Sequence, residues 1–147
     1  MHEEIIILDF GSQYTQLIAR RIRELNCYAE IKPYSTSINE LKKRNLNGII
    51  LSGGPASVYA DDAPLPDEGI FDLNVPVLGI CYGLQVVVYH FGGKIEGGET
   101  REFGRAHFTS FSNHTLLKSM SAQEQLWMSH GDKVTELPPG FVSLAKT

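Results

Sequence analysis

The segment that decides the fold reads VPVLGICYGLQVVVYHF and runs from Val75 to Phe91. Its first part, Val75–Ile80, is short and apolar, which predicts a buried β-strand. Its last part, Leu84–Phe91, predicts a helix that ends at Gly92-Gly93, since glycine readily takes the conformation of a helix C-terminus. A tight turn that begins at Cys81 separates the two elements.

The same alternation occurs upstream in the chain. Apolar runs over Ile5–Asp9, Cys27–Ile31 and Gly48–Ser52 predict three more buried strands. Residues 13–26 have helical spacing, and Ser12 is placed to cap that helix. Weaker patterns predict helical segments at 38–43 and 69–73. The residues expected on the buried face of the first helix are Tyr14, Leu17, Ile18, Ile22 and Leu25.

Strands that alternate with helices form a parallel sheet covered on both faces, so the sequence predicts an α/β fold. In such sheets, sites lie beyond the carboxyl ends of the strands. The second half differs, because Lys94–Phe111 is Gly-rich and alternating, which predicts antiparallel hairpins or an added flap. Further strands are predicted at Gln125–Ser129 and Phe141–Ala145. Since the last one begins so late, we expect the 147 residues to be part of a longer protein.

Composition excludes several classes of protein. Hydrophobic residues make up 42% of the chain and the net charge is −4, which argues against a disordered chain and against nucleic-acid or anionic-membrane binding. No apolar run approaches the ~20 residues of a membrane-spanning helix. The two cysteines, Cys27 and Cys81, are too few for a disulfide framework and form no metal-ligand spacing with the histidines. They indicate reduced thiols in a cytoplasmic protein.

The turn Gly79-Ile80-Cys81-Tyr82-Gly83 is typical of a nucleophile elbow with Cys in place of Ser. Glycines two residues to either side leave room for the strained turn. The partial positive charge of the helix N-terminus favours the thiolate, and the backbone N–H of Tyr82 would face a developing oxyanion. The alternative is a small buried Cys in a Gly-rich turn.

Ser52-Gly53-Gly54-Pro55 follows the third predicted strand and has two functional interpretations. It is either a phosphate-binding loop or a second arm of an oxyanion hole, and a simple turn is the third possibility. Pro55 lacks an N–H and acidic residues follow, so we favour the oxyanion arm. Gln85, one helical turn after Cys81, would face the same cleft, although an exposed helix position is the simpler interpretation.

Ser129-His130-Gly131-Asp132 is predicted to form a polar corner at a strand end, suited to the charged ends of an amino acid. His130 is also a candidate general base, and a solvated turn is the plainer alternative.

Taken together, these motifs resemble the class I (triad-type) glutamine amidotransferases. The resemblance covers essentially the whole chain. The shared residues are the elbow with Gln85 and the segment Leu51–Pro55, while Ile7–Tyr14 and Trp127–Val134 resemble the GMP-forming branch of the family. The resemblance implies a three-layer, flavodoxin-like sheet with a small antiparallel flap.

By that resemblance, Cys81 attacks the side-chain amide of glutamine, and the N–H groups of Gly54 and Tyr82 hold the oxyanion. Glutamine would be bound by Gly53, Gln85, Ser129, His130 and Gly131. No metal or cofactor is implied for this domain. Ammonia would pass to an ATP- and Mg-dependent synthetase domain of a homodimeric longer enzyme, where it aminates xanthosine monophosphate.

One part of the family pattern is absent from the sequence. The family's catalytic His, in a His-Pro-Glu context, lies after the matching region, and no His-Pro-Glu occurs in the 147 residues. We therefore expect the chain alone to be inactive. The alternatives are an amidotransferase that serves another acceptor and a catalytically incomplete module.

Overall fold

The computed structural model describes residues 2–147, apart from the side chains of 98–103, 129 and 130. The chain forms two compact units, one ending at His90 and one beginning at Phe91. The elements of the first unit are β1 (Glu4–Asp9), α1 (Thr15–Glu24), β2 (Tyr28–Pro33), α2 (Ile38–Leu41), β3 (Leu46–Leu51), a 3-10 helix (Glu68–Asp72), β4 (Val77–Gly79) and α3 (Tyr82–His90). Those of the second are β5 (Lys94–Ser110), a 3-10 helix (Thr115–Leu117), β6 (Gln123–Glu136) and β7 (Ala145–Lys146).

The first unit is built on a four-stranded sheet with the order β2-β1-β3-β4, and every neighbouring pair is parallel. β1 is central, so that Ile7 lies opposite Ile31 on one side and Ile50 on the other. Ile6, Ile7 and Leu8 are fully buried, as expected for a strand covered on both faces. The predicted α/β fold with a parallel sheet is confirmed.

Helix α1 packs on the sheet through small residues. Its buried residues are Thr15 and Ala19, and Ala19 joins Ile7 and Ala29 in a cluster flanked by Ile18 and Ile22. The predicted face was therefore wrong in part, since Tyr14, Leu17 and Leu25 are exposed. The small side chain at 19 lets the helix approach the sheet closely, and counting only large apolar residues missed this.

The predicted cap of α1 also needs correction. The N-cap residue is Tyr14, and no side chain caps the helix. Ser12 lies further from the helix, and its Oγ accepts a hydrogen bond from the N–H of Tyr14 at 3.0 Å. Thr15 instead ties the first turn to β1, because its hydroxyl donates to Asp9 Oδ1 at 2.9 Å.

Of the predicted boundaries that shift in the first unit, two involve the cysteines. β2 begins at Tyr28, and Cys27 is exposed instead of opening a buried strand. Asn26 before it has a φ of 60°, a left-handed conformation that reverses the chain after α1. Helix α3 begins at Tyr82 and not at Leu84, so it starts directly after Cys81.

The second unit is an antiparallel sheet with the order β6-β5-β7. The predicted antiparallel character is confirmed, but β6 runs on to Glu136 through the predicted Ser129–Asp132 corner. In β6, His130 pairs with Glu102 and Asp132 with Gly97. Pairing with β5 therefore continues through a segment whose turn-forming residue types predicted the end of the strand. The predicted strand at Phe141–Ala145 is also wrong, since only Ala145–Lys146 pairs with β5.

None of the helices in the described part of the chain is long and apolar enough to cross a membrane.

Candidate active site

The loops after β1 and β3 are joined by Ser52, which is fully buried. Its Oγ accepts a hydrogen bond from the N–H of Phe10 at 3.0 Å and donates one to the carbonyl of Gly53 at 2.9 Å. Both loops leave the carboxyl edge of the sheet because the strands are parallel. Ser52 therefore fixes the beginning of the Gly-rich loop against the chain that leaves β1.

The turn after β4 is held to the end of β3 by two backbone hydrogen bonds. Ile80 donates its N–H to the carbonyl of Leu51, and Gly83 donates to the carbonyl of Ser52, both at 3.0 Å. These donors lie on either side of Cys81. The cysteine thus projects from a loop whose two ends are fixed to the neighbouring strand.

Cys81 has the backbone of a nucleophile elbow. Its φ is 51°, in the left-handed region that side chains with a Cβ rarely adopt, and its side chain is exposed. Its carbonyl accepts the N–H of Gln85 at 3.2 Å, so the helix begins from this residue. The arrangement places an exposed thiol at the N-terminus of α3, where the helix dipole stabilises negative charge.

The two glycines of the elbow are required by packing. A Cβ on Gly79 would fall within 2.7 Å of the carbonyl carbon of Gly83 and the Cα of Leu84. A Cβ on Gly83 would overlap the carbonyl group of Leu51. The predicted reason for these glycines, a turn with no room for side chains, fits this geometry.

Gly53 and Gly54 lie beside the elbow but differ in their surroundings. A Cβ on Gly53 would stand 3.3 Å from the Cβ of Cys81, so this residue directly adjoins the thiol side chain. A Cβ on Gly54 would overlap the carbonyl oxygen of Phe10. Within the described part of the chain, the N–H groups of Gly54 and Tyr82 donate to no acceptor. Two backbone donors are thus available at this edge of the sheet.

The same loop does not fit the phosphates of a nucleotide. Pro55 has no N–H, and the loop runs on into Ser57 and Val58 instead of opening a helix. Ser52 is unable to reach a ligand, because its buried hydroxyl already has two partners. The geometry therefore favours the oxyanion arm over the phosphate loop.

Gln85 carries an unsatisfied polar atom. Its Oε1 is buried and has no hydrogen-bond partner among the described residues. Leaving such an atom unpaired costs roughly 1–3 kcal/mol. A ligand that donates an N–H to this oxygen would recover that free energy.

A comparison with known families assigns the chain to one of them. The sequence profile of the family described as glutamine amidotransferase class-I matches residues 6–147. The chain belongs to the class-I glutamine amidotransferases. The match includes every predicted site residue, from Gly53 to Gly131.

Several relatives of this amidotransferase are glutamine-hydrolysing GMP synthases. Those of Helicobacter pylori and Campylobacter lari are 55% and 54% identical over 97% of the chain. The chain spans 28% of the length of each of these relatives.

Solved structures agree with the fold. One from Thermoplasma acidophilum, assigned as part of a GMP synthase, is 28% identical, with a TM-score of 0.83 over 99% of this chain and 73% of that one. A glutamine amidotransferase from Thermotoga maritima, 19% identical, shares the fold with a TM-score of 0.76 over 98% of this chain and 66% of that one.

The predicted site residues of this amidotransferase fall in both units. Gly53, Gly54, Cys81, Tyr82 and Gln85 all belong to the first unit, where two loops and the start of α3 bring them to one edge of the sheet. The other three lie on β6 of the second unit. The side chains of Ser129 and His130 are outside the described residues, and Gly131 is half-buried within the strand.

Two contributors to the site were missed by sequence reasoning. Ser52 ties the loops together, and the Tyr82 side chain, considered only for its N–H, is buried with its hydroxyl bonded to the carbonyl of Pro64 at 2.9 Å. A serine directly after the apolar end of β3 was a usable signal that Ser52 makes hydrogen bonds at the site. Nothing local in the sequence pairs Tyr82 with a residue 18 positions away.

Proposed function

We propose that this chain is the glutamine-hydrolysing part of a GMP synthase. The observation that carries the proposal is the exposed Cys81 thiol on a left-handed backbone at the start of α3, directly beside Gly53. Its thiolate attacks the side-chain carbonyl carbon of glutamine. The C–N bond then breaks, the amide nitrogen leaves as ammonia once protonated, and a glutamyl thioester remains. Water attacks the thioester and releases glutamate and the thiol.

The oxyanion formed in each step is held by backbone donors. We assign this role to the N–H groups of Gly54 and Tyr82, each of which is available to a ligand. Removing one donor of this kind from an oxyanion hole costs on the order of 3–4 kcal/mol of transition-state stabilisation. Such donors act strongly because they are fixed before the charge appears.

The rest of the site holds glutamine in place. Gly53 leaves space for the substrate beside the thiol, and Gln85 Oε1 accepts a hydrogen bond from an N–H of the bound amino acid. From the family resemblance alone, we assign the binding of its charged ends to Ser129, His130 and Gly131. The two free cysteines fit a reducing compartment, so we place the activity in the cytoplasm.

The acceptor of the ammonia is assigned from the relatives. The chain spans 28% of GMP synthases to which it is about half identical. In the longer homodimeric enzyme that we propose, a separate synthetase domain binds ATP and Mg²⁺ and activates xanthosine monophosphate, which ammonia converts to GMP. Neither ATP nor Mg²⁺ is assigned to residues of this chain.

A chimera tests the proposal. Residues 1–147 replace the matching segment of the Helicobacter pylori GMP synthase, and GMP formation is measured with glutamine or with ammonium as the nitrogen source. We expect both activities, and we expect Cys81→Ala to abolish only the glutamine-dependent one. The ammonium activity is the internal control, because it reports whether the synthetase domain is folded.

The chimera also separates the alternatives. A chimera that hydrolyses glutamine but passes no nitrogen to GMP indicates an amidotransferase for a different acceptor. One that uses ammonium but shows no hydrolysis of glutamine contradicts the assignment of Cys81 as nucleophile.

A further inference from the structure

The side chain of Tyr82 has a contact that the glutamine reaction does not by itself require. The residue is 1% exposed, although it directly follows the exposed Cys81. Its hydroxyl donates to the carbonyl of Pro64 at 2.9 Å. Burial raises the pKa of Tyr82, so the hydroxyl stays protonated and remains a donor.

Pro64 belongs to the same segment as the proposed oxyanion arm. Residues 52–66 leave β3, carry Gly54 near their start and reach Pro64 near their end without forming a helix or a strand. Their start is fixed by Ser52, as described above. The Tyr82 hydroxyl holds their far end to the residue that supplies the other proposed oxyanion donor.

The ring of Tyr82 also contacts a residue that packs against Gly54. Its centroid lies 5.4 Å from that of Phe10, and Phe10 in turn stacks on Tyr34 at 5.5 Å. The carbonyl of Phe10 is the group against which Gly54 packs. Tyr82 therefore contacts both the residue that supports Gly54 and the segment that carries it.

We propose that Tyr82 is a positioning residue for the oxyanion hole. Its bond to Pro64 holds the 52–66 segment against the elbow and so fixes the spacing between the N–H of Gly54 and its own. Two donors must meet one oxyanion, and a displacement of about 1 Å lowers a rate by roughly a hundredfold. The inference rests on the proposed glutamine hydrolysis, and it assigns a function to the side chain, not to the N–H.

Tyr82→Phe tests the proposal, because it removes only the hydroxyl. The matched control is Tyr34→Phe, which removes the hydroxyl of the other ring that packs on Phe10. In the chimera, we expect Tyr82→Phe to lower kcat for glutamine-dependent GMP formation about tenfold or more. KM for glutamine and the ammonium-dependent rate should stay within about twofold, and Tyr34→Phe should change none of them by more than that.

Amide hydrogen exchange in the 147-residue chain provides a readout independent of activity. We expect Tyr82→Phe to accelerate exchange at the amides of residues 53–63 while β1 and α1 keep their protection. Unchanged exchange overturns the positioning role of Tyr82, whatever the activity of the chimera. An inactive chimera with wild-type Tyr82 instead contradicts the proposed glutamine reaction. A raised KM for glutamine with unchanged kcat also overturns the proposal, because the hydroxyl would then serve substrate binding. An equal loss of the ammonium activity, or a Tyr82→Phe chain that does not fold, overturns it because the hydroxyl would then stabilise the whole unit.

Discussion

A Cβ on Gly53 would stand 3.3 Å from the Cβ of Cys81 and 3.6 Å from the Oγ of Ser12. The loops after β1, β3 and β4 therefore meet around this glycine. The first distance is tight but possible for a methyl group, the second is an ordinary contact, and both neighbours are side-chain atoms. Gly53 thus differs from Gly54, where a methyl group would overlap the backbone carbonyl of Phe10.

This difference predicts opposite outcomes for two adjacent substitutions. Gly53→Ala should cost less than about 1.5 kcal/mol of unfolding free energy, while Gly54→Ala should cost about 2–3 kcal/mol, since overpacking against backbone forces a shift. Urea unfolding of the two variants measures both values. In the chimera, Gly53→Ala should raise KM for glutamine, because the methyl group occupies space beside the thiol. Equal stabilities would contradict the close packing of Gly54.

The two thiols should differ in their reactivity toward a glutamine analogue, although both are exposed. Cys27 was expected to be buried, but both cysteines are exposed, so iodoacetamide should label both. A chloroketone analogue of glutamine should label Cys81 in preference, because its amino acid part binds beside this thiol. Mass-spectrometric mapping of the chimera gives the ratio. Excess glutamine should protect Cys81 alone, and preferential labelling of Cys27 would refute the elbow as a glutamine site.

The left-handed backbone of Cys81 should lower the unfolding free energy of the chain. A residue with a Cβ costs about 1–2 kcal/mol in the left-handed region, and glycine avoids this cost. Cys81→Gly should therefore raise the unfolding free energy by roughly 1 kcal/mol while it removes the reactive thiol. Cys27→Gly is the control, since Cys27 has no positive φ and should gain no stability. A Cys81→Gly variant less stable than the parent would show that the thiol makes contacts that outweigh the strain.

Acid should weaken the ion pairs that join β1, β2 and the turn after α2. Arg44 donates to Glu4 at 2.8 Å and to Glu30 at 2.7 Å, and it lowers the pKa of Glu30 more than Lys32 does. A lowered folded-state pKa stabilises the fold above the unfolded pKa, about 4.3 for glutamate, and this stabilisation disappears as the pH falls through the folded value.

Arg44→Met should therefore cost about 1 kcal/mol at pH 7, and the difference from the parent should shrink below about pH 4. Thermal or urea unfolding between pH 3 and 7 measures this. Arg20→Met is the control, because the Arg20–Glu24 pair is exposed and should contribute little. A difference that stays constant down to pH 3 would mean that Arg44 acts through packing and not through Glu30.

The 147-residue chain should release no measurable ammonia from glutamine. Hydrolysis needs a group that carries a proton to the leaving nitrogen. The histidines of the first unit are not placed for this: His2 is exposed near the chain start, and His90 ends the helix that begins beside Cys81, about 13 Å further along its axis. An ammonia assay checks the expectation against the chimera. Activity that disappears in His130→Ala would identify His130 as the base.

The parallel sheet and the elbow were predictable because their signals are local. Apolar runs mark β1, β3 and β4, and the glycines around Cys81 mark a turn that leaves no room for side chains. The buried face of α1 was not, since Ala19 has little hydrophobicity and is buried for its size. The course of β6 was also hidden, because Ser, Gly and Asp favour turns until a partner strand supplies their hydrogen bonds.

The close packing of α3 on β3 has a consequence for the history of this protein. Gly79 and Gly83 are required by backbone atoms of Gly83, Leu84 and Leu51, none of which takes part in the reaction. A descendant that lost Cys81, and with it the chemistry, would still be selected to keep both glycines in order to fold. In such lineages the glycine pair shows the shared architecture and not the activity, and the loss of Cys81 between them marks an inactive descendant.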